Sequence, residues 1–460
     1  KVEVPQNARR IDAKGTTVTA GWIDARGSTP LEMAAILDAG QQAPGNRAID
    51  GLDLVDREGR VRDALRRGVT SCYVAPGRGL MAGQGALVKM RPNETDLEKL
   101  EVEDAEALEI VGGSSRGSGA VNRLAEWTIL RRTLRETQKY RESLDAYHEE
   151  LEKFLEEKKK GAKTAPRAAG AAEEKSEERT PEGGPTPVPR RRRPPRNQDE
   201  ADLLAALQVL RVFPIVNDPE GAVLLDADAQ GVETIEDPDA CGHLHPPGAD
   251  GPIYFFEDAP QTKPGESKTV ERPKKPPMNA TWDALLPGLT REVPVRFEAR
   301  RADEIRAAIA VAKEFRLRGV IEGADEADLV LDEIAESKMP VVITPARSAE
   351  WPRDGRERSA TLAAALEERG IPYAIGTGRD LNGTRWLRAQ VALAIAGGAT
   401  REEALAAVTS RAAEILGVDD RLGSLEPGHE ADLVIFEGDP FDPTTEVRAA
   451  IVDGDVLFER

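Results

Sequence analysis

Apolar runs and helical stripes alternate most clearly in the second half of the chain. Residues 293–297 read as a strand, 302–315 as a helix and 318–321 as a strand. The series continues with a helix over 326–337, a strand over 340–344, a helix over 360–369, a strand over 372–376 and a helix around 386–396. The first part is sparser: apolar runs at 22–23 and 69–75 flank a helix-like stretch around 54–67. Strands alternating with helices at this spacing predict β/α units and a parallel sheet. So many units in one chain favour a closed barrel over an open sheet.

Leu124, Trp127, Leu130, Leu134, Leu144, Tyr147, Leu151 and Phe154 recur at helical spacing, so one long amphipathic helix is predicted, ending in the lysines at 158–160. Beyond it, residues 161–199 collapse to Ala, Glu, Lys, Pro and Arg and read as a disordered linker, with an arginine run at 190–193. Residues 200–275 read as an irregular insertion. The chain ends differ again. Segments 431–436 and 449–458 are strands, with a turn-rich stretch at 437–440 and a tight turn at Asp453-Gly454. Residues 10–18 are their extended partner, so both ends build one β unit beside the barrel. The resulting division is 1–20 with 423–460, then 21–160, 161–199, 200–275 and 276–422.

Composition narrows the chemistry. With 40% hydrophobic and 32% charged residues in 460, the chain is globular and large enough for a barrel and a smaller unit. No run of about 18 apolar residues proposes a membrane span. A net charge of -19 argues against a nucleic-acid partner, because a polyanion is repelled. Two cysteines make no disulfide framework and leave the compartment undecided. Residues 1–18 read like the interior of a domain, which implies a start further upstream. The informative count is four histidines: His148, His243, His245 and His429. His148 and His429 read as surface residues, and Cys72 as core.

Four stretches carry a resemblance. They are residues 12–25, 81–89 following Gly68-Val69-Thr70, 294–303, and above all 416–434 running into Gly438-Asp439-Pro440 and Val452-Asp453-Gly454. In these the chain resembles the amidohydrolase superfamily, and within it the imidazolonepropionase-like group. Residues 81–89 are similar to an internal loop of that group. The resemblance implies a (β/α)8 TIM-like barrel, flanked by a small β-sandwich made from the N- and C-terminal segments and interrupted by a long insertion. It also implies hydrolysis of carbon–nitrogen bonds other than peptide bonds, with a divalent metal at the barrel mouth that activates water.

The ligand positions do not follow the family. Where its first strand closes Asp-Ala-His-x-His, this chain has Asp24-Ala25-Arg26-Gly27-Ser28. The fifth strand's His-Ala-His is Glu298-Ala299-Arg300, the sixth's Glu-His-Gly is Glu322-Gly323-Ala324, and the eighth's Gly-Thr-Asp is Gly376-Thr377-Gly378. Every ligand position, Arg26, Ser28, Glu298, Arg300, Gly323 and Gly378, has changed, and a guanidinium cation does not bind a metal. Asp380 lies two residues beyond the family's aspartate. No cofactor is expected. Zinc enters only as an alternative, through Cys241, His243 and His245 in the insertion.

The expectation is therefore an amidohydrolase-like protein that is inactive as a metal-dependent hydrolase, with a structural or regulatory role. It would pair with itself or with an active relative. Two alternatives stand beside it: a carbon–nitrogen hydrolase using a non-standard site, and a module binding a small anion. The candidates for that ligand are Asp24, Arg26, Glu298, Arg300, Glu322 and Arg379, with arginines standing in for the metal's charge. On this reading, replacing Arg26 and Arg300 together abolishes anion binding.

Overall fold

The computed structural model describes residues 9–31, 43–56, 59–76, 79–112, 120–164, 272–345, 359–380 and 383–460. The arginine run, nearly all of the 200–275 insertion, and Cys241, His243 and His245 lie outside the described residues. The chain divides into two compact units, 1–144 with 276–460, and 145–275. In the second, the described part is chiefly one helix.

The strands are β1 (Thr17–Ala20), β2 (Trp22–Gly27), β3 (Val69–Val74), β4 (Met81–Lys89), β5 (Glu101–Val111), β6 (Val295–Ala299), β7 (Gly319–Gly323), β8 (Val341–Ile343), β9 (Tyr373–Ile375), β10 (Leu433–Phe436), β11 (Val447–Val452) and β12 (Asp455–Glu459). The helices, in chain order, are α1 (Arg60–Arg66), α2 (Ala120–Thr164), α3 (Ala280–Thr290), α4 (Ala302–Phe315), α5 (Leu331–Ser337), α6 (Leu362–Glu368), α7 (Leu387–Ala396), α8 (Arg401–Ala406) and α9 (Ser410–Leu416).

Strands β2 to β9 form one eight-stranded sheet in sequence order. Neighbouring strands are parallel except around β4, which runs antiparallel to both β3 and β5. The sheet curls until its first and last strands nearly meet. The carbonyl of Arg26, on β2, accepts from the N–H of Thr377 at 2.8 Å and of Gly378 at 2.7 Å, just past β9. Lower down, the junction of α8 and α9 fills the seam: Ile23 N donates to Val408 O at 2.7 Å and Ile375 N to Ala407 O at 3.0 Å.

The local chemistry explains the elements. β3 reads Val-Thr-Ser-Cys-Tyr-Val and is buried throughout, as a strand covered on both faces requires. In α4 the buried Ile305, Ala308, Val311, Ala312 and Phe315 lie on one stripe. Its start is closed by the Glu304 carboxylate, which accepts from the N–H of Arg300 at 3.0 Å and of Arg301 at 3.2 Å. Asn279 caps α3 by accepting from Thr281 and Trp282 N–H, both at 3.1 Å.

The chain ends form a four-stranded antiparallel sheet in the order β1-β10-β11-β12. Residues 455–459 turn back on β11 through Asp453 and Gly454, both at positive φ (50° and 82°). That is the backbone twist a two-residue hairpin needs. One face of the sheet packs on the barrel, where Phe436 meets Trp22 with ring centroids 5.6 Å apart. On the other face, Ile11 and Ala13 cover Ile435, Ala449 and Ile451. Among the described residues the end segments thus make a single sheet with the N-terminal segment lying across it.

Three expectations need correction. Residues 81–89, read as a loop, are strand β4. Its glycines exist for close approach: a Cβ at Gly85 would lie 2.1 Å from the Tyr73 hydroxyl, and one at Gly83 2.2 Å from the Asn46 carbonyl. Residues 161–164, read as the start of the linker, are the end of α2, and the rest of that segment lies outside the described residues. His148 and His429 are half-buried rather than exposed; His429 Nδ1 lies 3.0 Å from Ser424 Oγ. Cys72 is buried on β3, as read.

Candidate functional site

Parallel strands bring their carboxyl ends to one rim, and residues two apart on a strand face the same side. Register then sorts the inward charged residues into layers. Glu109 on β5 stands opposite Arg296 on β6, one layer down. Glu298 on β6 stands opposite Glu322 on β7 in the next layer. Asp24 and Arg26 come from β2, while Arg300, Thr344, Thr377 and Arg379 follow directly after their strands.

Glu322 is the centre. One oxygen accepts from Arg26 Nε at 3.0 Å and the other from Arg296 Nε. All three side chains are buried. The Arg296 guanidinium also donates to the Ala25 carbonyl at 2.8 Å and lies 4.0 Å above the Tyr73 ring. Tyr73 donates to Glu109 at 3.0 Å. Glu298 is held by Arg379 and, at 3.4 Å, by Arg300. Arg300 reaches further, to Asp325 at 3.1 Å, Thr344 Oγ1 at 3.2 Å and the Pro345 carbonyl at 3.3 Å. Asp24 accepts from Thr377 N at 3.0 Å, Thr377 Oγ1 at 2.5 Å and Arg26 N at 3.3 Å.

The electrostatics run in opposite directions at the two depths. Burial and the neighbouring Glu322 push Glu109 up to about 7. Burial would also raise Glu298, but Arg379, Arg300 and Arg26 together pull it below the usual carboxylate range. Burial raises Asp24 against its hydrogen bonds from Thr377. Arg26, which burial alone would lower, is held above its ordinary value by Glu322, Glu109 and Glu298. Burial lowers Arg379, with repulsion from Arg26 adding to it and attraction to Glu298 opposing. Among the described residues, the buried polar atoms without a hydrogen-bond partner include Arg26 Nη2, Arg379 Nε and Glu109 Oε2.

Of the residues singled out in the sequence, Arg26 with Glu322, and Glu298 with Arg300 and Arg379, form two ion-paired groups side by side, because Glu298 and Glu322 are neighbours across β6 and β7. Asp24 joins through Thr377 and Arg26. Ser28 instead donates to the carbonyl of Asp380 at 2.5 Å, pinning the segment after β9 to β2. Gly323, at φ +85°, lies under Arg300, whose Cγ would be 2.8 Å from an added Cβ. Gly378, at φ +74°, serves through its backbone N–H. Sequence reasoning missed Arg296, Glu109 and Tyr73. Neither charge stands out in the sequence, since β6 carries Glu298 beside Arg296 and β5 carries Glu101, Glu103, Asp104 and Glu106 beside Glu109.

Residues 377–458 match the model of the amidohydrolase family. No curated protein matches. Among solved structures, the chain is similar to an amidohydrolase from Thermotoga maritima MSB8, with 21% identity and a TM-score of 0.65, covering 100% of this chain and 91% of that one. An E. coli guanine deaminase matches 38% of this chain and 50% of its own, at 18% identity and a TM-score of 0.28. A Xaa-Pro dipeptidase with bound methionine matches 39% and 48%, at 23% identity and a TM-score of 0.30. The first of these establishes an amidohydrolase-type barrel fold.

That fold implies a divalent metal, and the donors here do not fit one. Glu298 and Glu322 are each committed to two guanidiniums, and Asp24 to Thr377 and the Arg26 N–H. Among the described residues no group of three His, Cys, Asp or Glu is placed to hold a metal ion. A zinc or similar ion wants several N, S or carboxylate ligands, and it would be repelled by the guanidiniums.

Proposed function

We propose that this chain is a member of the amidohydrolase superfamily, of the imidazolonepropionase-like group, that has given up metal-dependent hydrolysis. Its role is structural or regulatory, exerted by pairing with itself or with an active relative. The observation that carries this reading is Glu322 clamped between the buried guanidiniums of Arg26 and Arg296. In a metal-dependent hydrolase of this fold, the cation that polarises the substrate and lowers the pKa of a water sits at the strand ends. Here the guanidiniums of Arg26, Arg300 and Arg379 stand at that rim, and a guanidinium has no open coordination position to offer. Covalent catalysis is no better served. Burial, reinforced by Asp24, pushes the Cys72 thiol well above its ordinary value, so the thiolate needed as a nucleophile is not formed.

The test is elemental analysis of the full chain purified without chelator. The reading expects below about a tenth of a metal ion per chain, and no amide or lactam hydrolysis when zinc, nickel or manganese is added. Near-stoichiometric metal, or hydrolysis once metal is added, would overturn it.

A further inference from the structure

The upper layer of the cluster is built differently from the lower one. Arg296 is used up by Glu322, the Ala25 carbonyl and the Tyr73 ring. Arg300 is used up by Glu298, Asp325, Thr344 and the Pro345 carbonyl. Arg26 and Arg379 are not: Arg26 Nη2 and Arg379 Nε are both buried, and each lacks an acceptor among the described residues. A buried guanidinium N–H without an acceptor is costly, so such a donor marks a place where a partner belongs.

The backbone fixes these two arginines beside each other. Arg379 directly follows Gly378, whose N–H donates to the carbonyl of Arg26 at 2.7 Å. Ser28 Oγ holds the Asp380 carbonyl on the other side. We infer that Arg26 and Arg379 form a binding site for a small oxyanion, a carboxylate or phosphate group, at the mouth of the barrel. The inference rests on the reading of the mouth as metal-independent, and it replaces the pair Arg26 and Arg300 with Arg26 and Arg379.

The charge distribution supports it. The layer containing Glu298 is positive enough to pull that carboxyl down despite its burial, whereas Glu109 below is pushed up. Burial, with repulsion from Arg26, lowers Arg379 even though it is paired with Glu298. An oxyanion adds both the acceptors and the charge, and guanidinium forks match carboxylate and phosphate geometry. Entry is from the side of Arg379 and Arg300, whose side chains are 13% and 16% exposed, against 3% for Arg26.

The experiment is isothermal titration of the full chain, in a buffer without carboxylate or phosphate, with acetate, succinate and inorganic phosphate as probes. The expected result is saturable binding of at least one probe, weakened at least tenfold in Arg379→Gln. Tighter binding of phosphate assigns a phosphoryl ligand, and tighter binding of succinate or acetate a carboxylate. If Arg379→Gln does not fold, Arg379→Lys keeps the charge and removes the Nε donor, and it should weaken binding in the same way. No saturable binding, or equal binding in the variants, overturns the site. Metal content of the same sample separates the two ideas. Metal-free protein that binds no anion sinks this inference alone, while stoichiometric metal sinks the functional reading beneath it.

Discussion

Glu109 is the residue at which the cluster should declare itself in solution. Its carboxyl sits at about 7 in the folded chain, raised by burial and by Glu322 from an ordinary 4.5. A folded-state value above the unfolded one means that the protonated form contributes stability. That contribution is complete below the unfolded value and is lost as pH rises through the folded one. Urea denaturation should therefore show the protein losing stability between about pH 5 and pH 8. Glu109→Gln, which keeps the hydrogen-bonding shape without the charge, should flatten the profile; a variant with the same slope would mean another group titrates. Residues such as Arg26 and Arg300 were legible because the family's motif fixes what should stand there. Glu109 and Arg296 stand where no motif points, and only the register of β5 against β6 reveals that they meet.

Among the elements, β4 and β5 were the least legible, for opposite reasons. β4 carries glycines where a strand ordinarily has side chains to pack, so it reads as a loop. β5 carries Glu101, Glu103, Asp104 and Glu106 along its first half, which hides the alternation that Leu108 and Ile110 would otherwise show. By contrast, α4 has an uninterrupted stripe, and its bounds came out of the sequence at 302–315. The β4 glycines are open to a direct test. Gly85→Ala puts a methyl 2.1 Å from the buried Tyr73 hydroxyl and 2.8 Å from the Val74 carbonyl. Neither neighbour can retreat without breaking the Tyr73–Glu109 hydrogen bond or the β3–β4 ladder, so a loss of about 1–3 kcal/mol is expected from denaturant titration. A change below about 0.5 kcal/mol would show that Tyr73 has another place to go.

For the barrel and its companion sheet, the decisive contact is Lys89. Buried at the end of β4, its ammonium meets Asp432 and Glu430 at 2.7 Å and Asp453 at 3.0 Å. Burial would lower Lys89, but Asp432 and its other partners raise it above its ordinary value. Lys89→Ala leaves the buried Asp432 without its cation, which costs about 3–5 kcal/mol. Because the lost contact joins β4 to residues flanking β10 and β11, amide exchange should accelerate first in β10–β12 while β6 and β7 stay protected. Uniform acceleration across the chain would argue that the two sheets open together. The barrel and the end-to-end β unit were legible as a plan, from β/α rhythm and the motif-rich C-terminus. The antiparallel β4 and the packing of Lys89 were not, since both depend on which distant segments come to lie side by side.

The pairing of β1 with β10 also sets an order of events. Thr17 and Phe436 are partners, yet roughly 420 residues separate them in sequence, so β1 emerges from the ribosome long before its neighbour exists. Trp22, packed against Phe436, must wait with it. Through most of synthesis this early apolar segment is an uncovered strand edge, the kind of surface on which chains associate with each other. Residues 433–436 are thus what seals residues 17–22. A chain cut short before 433 would be expected to fail by aggregation rather than by losing only a small appendage.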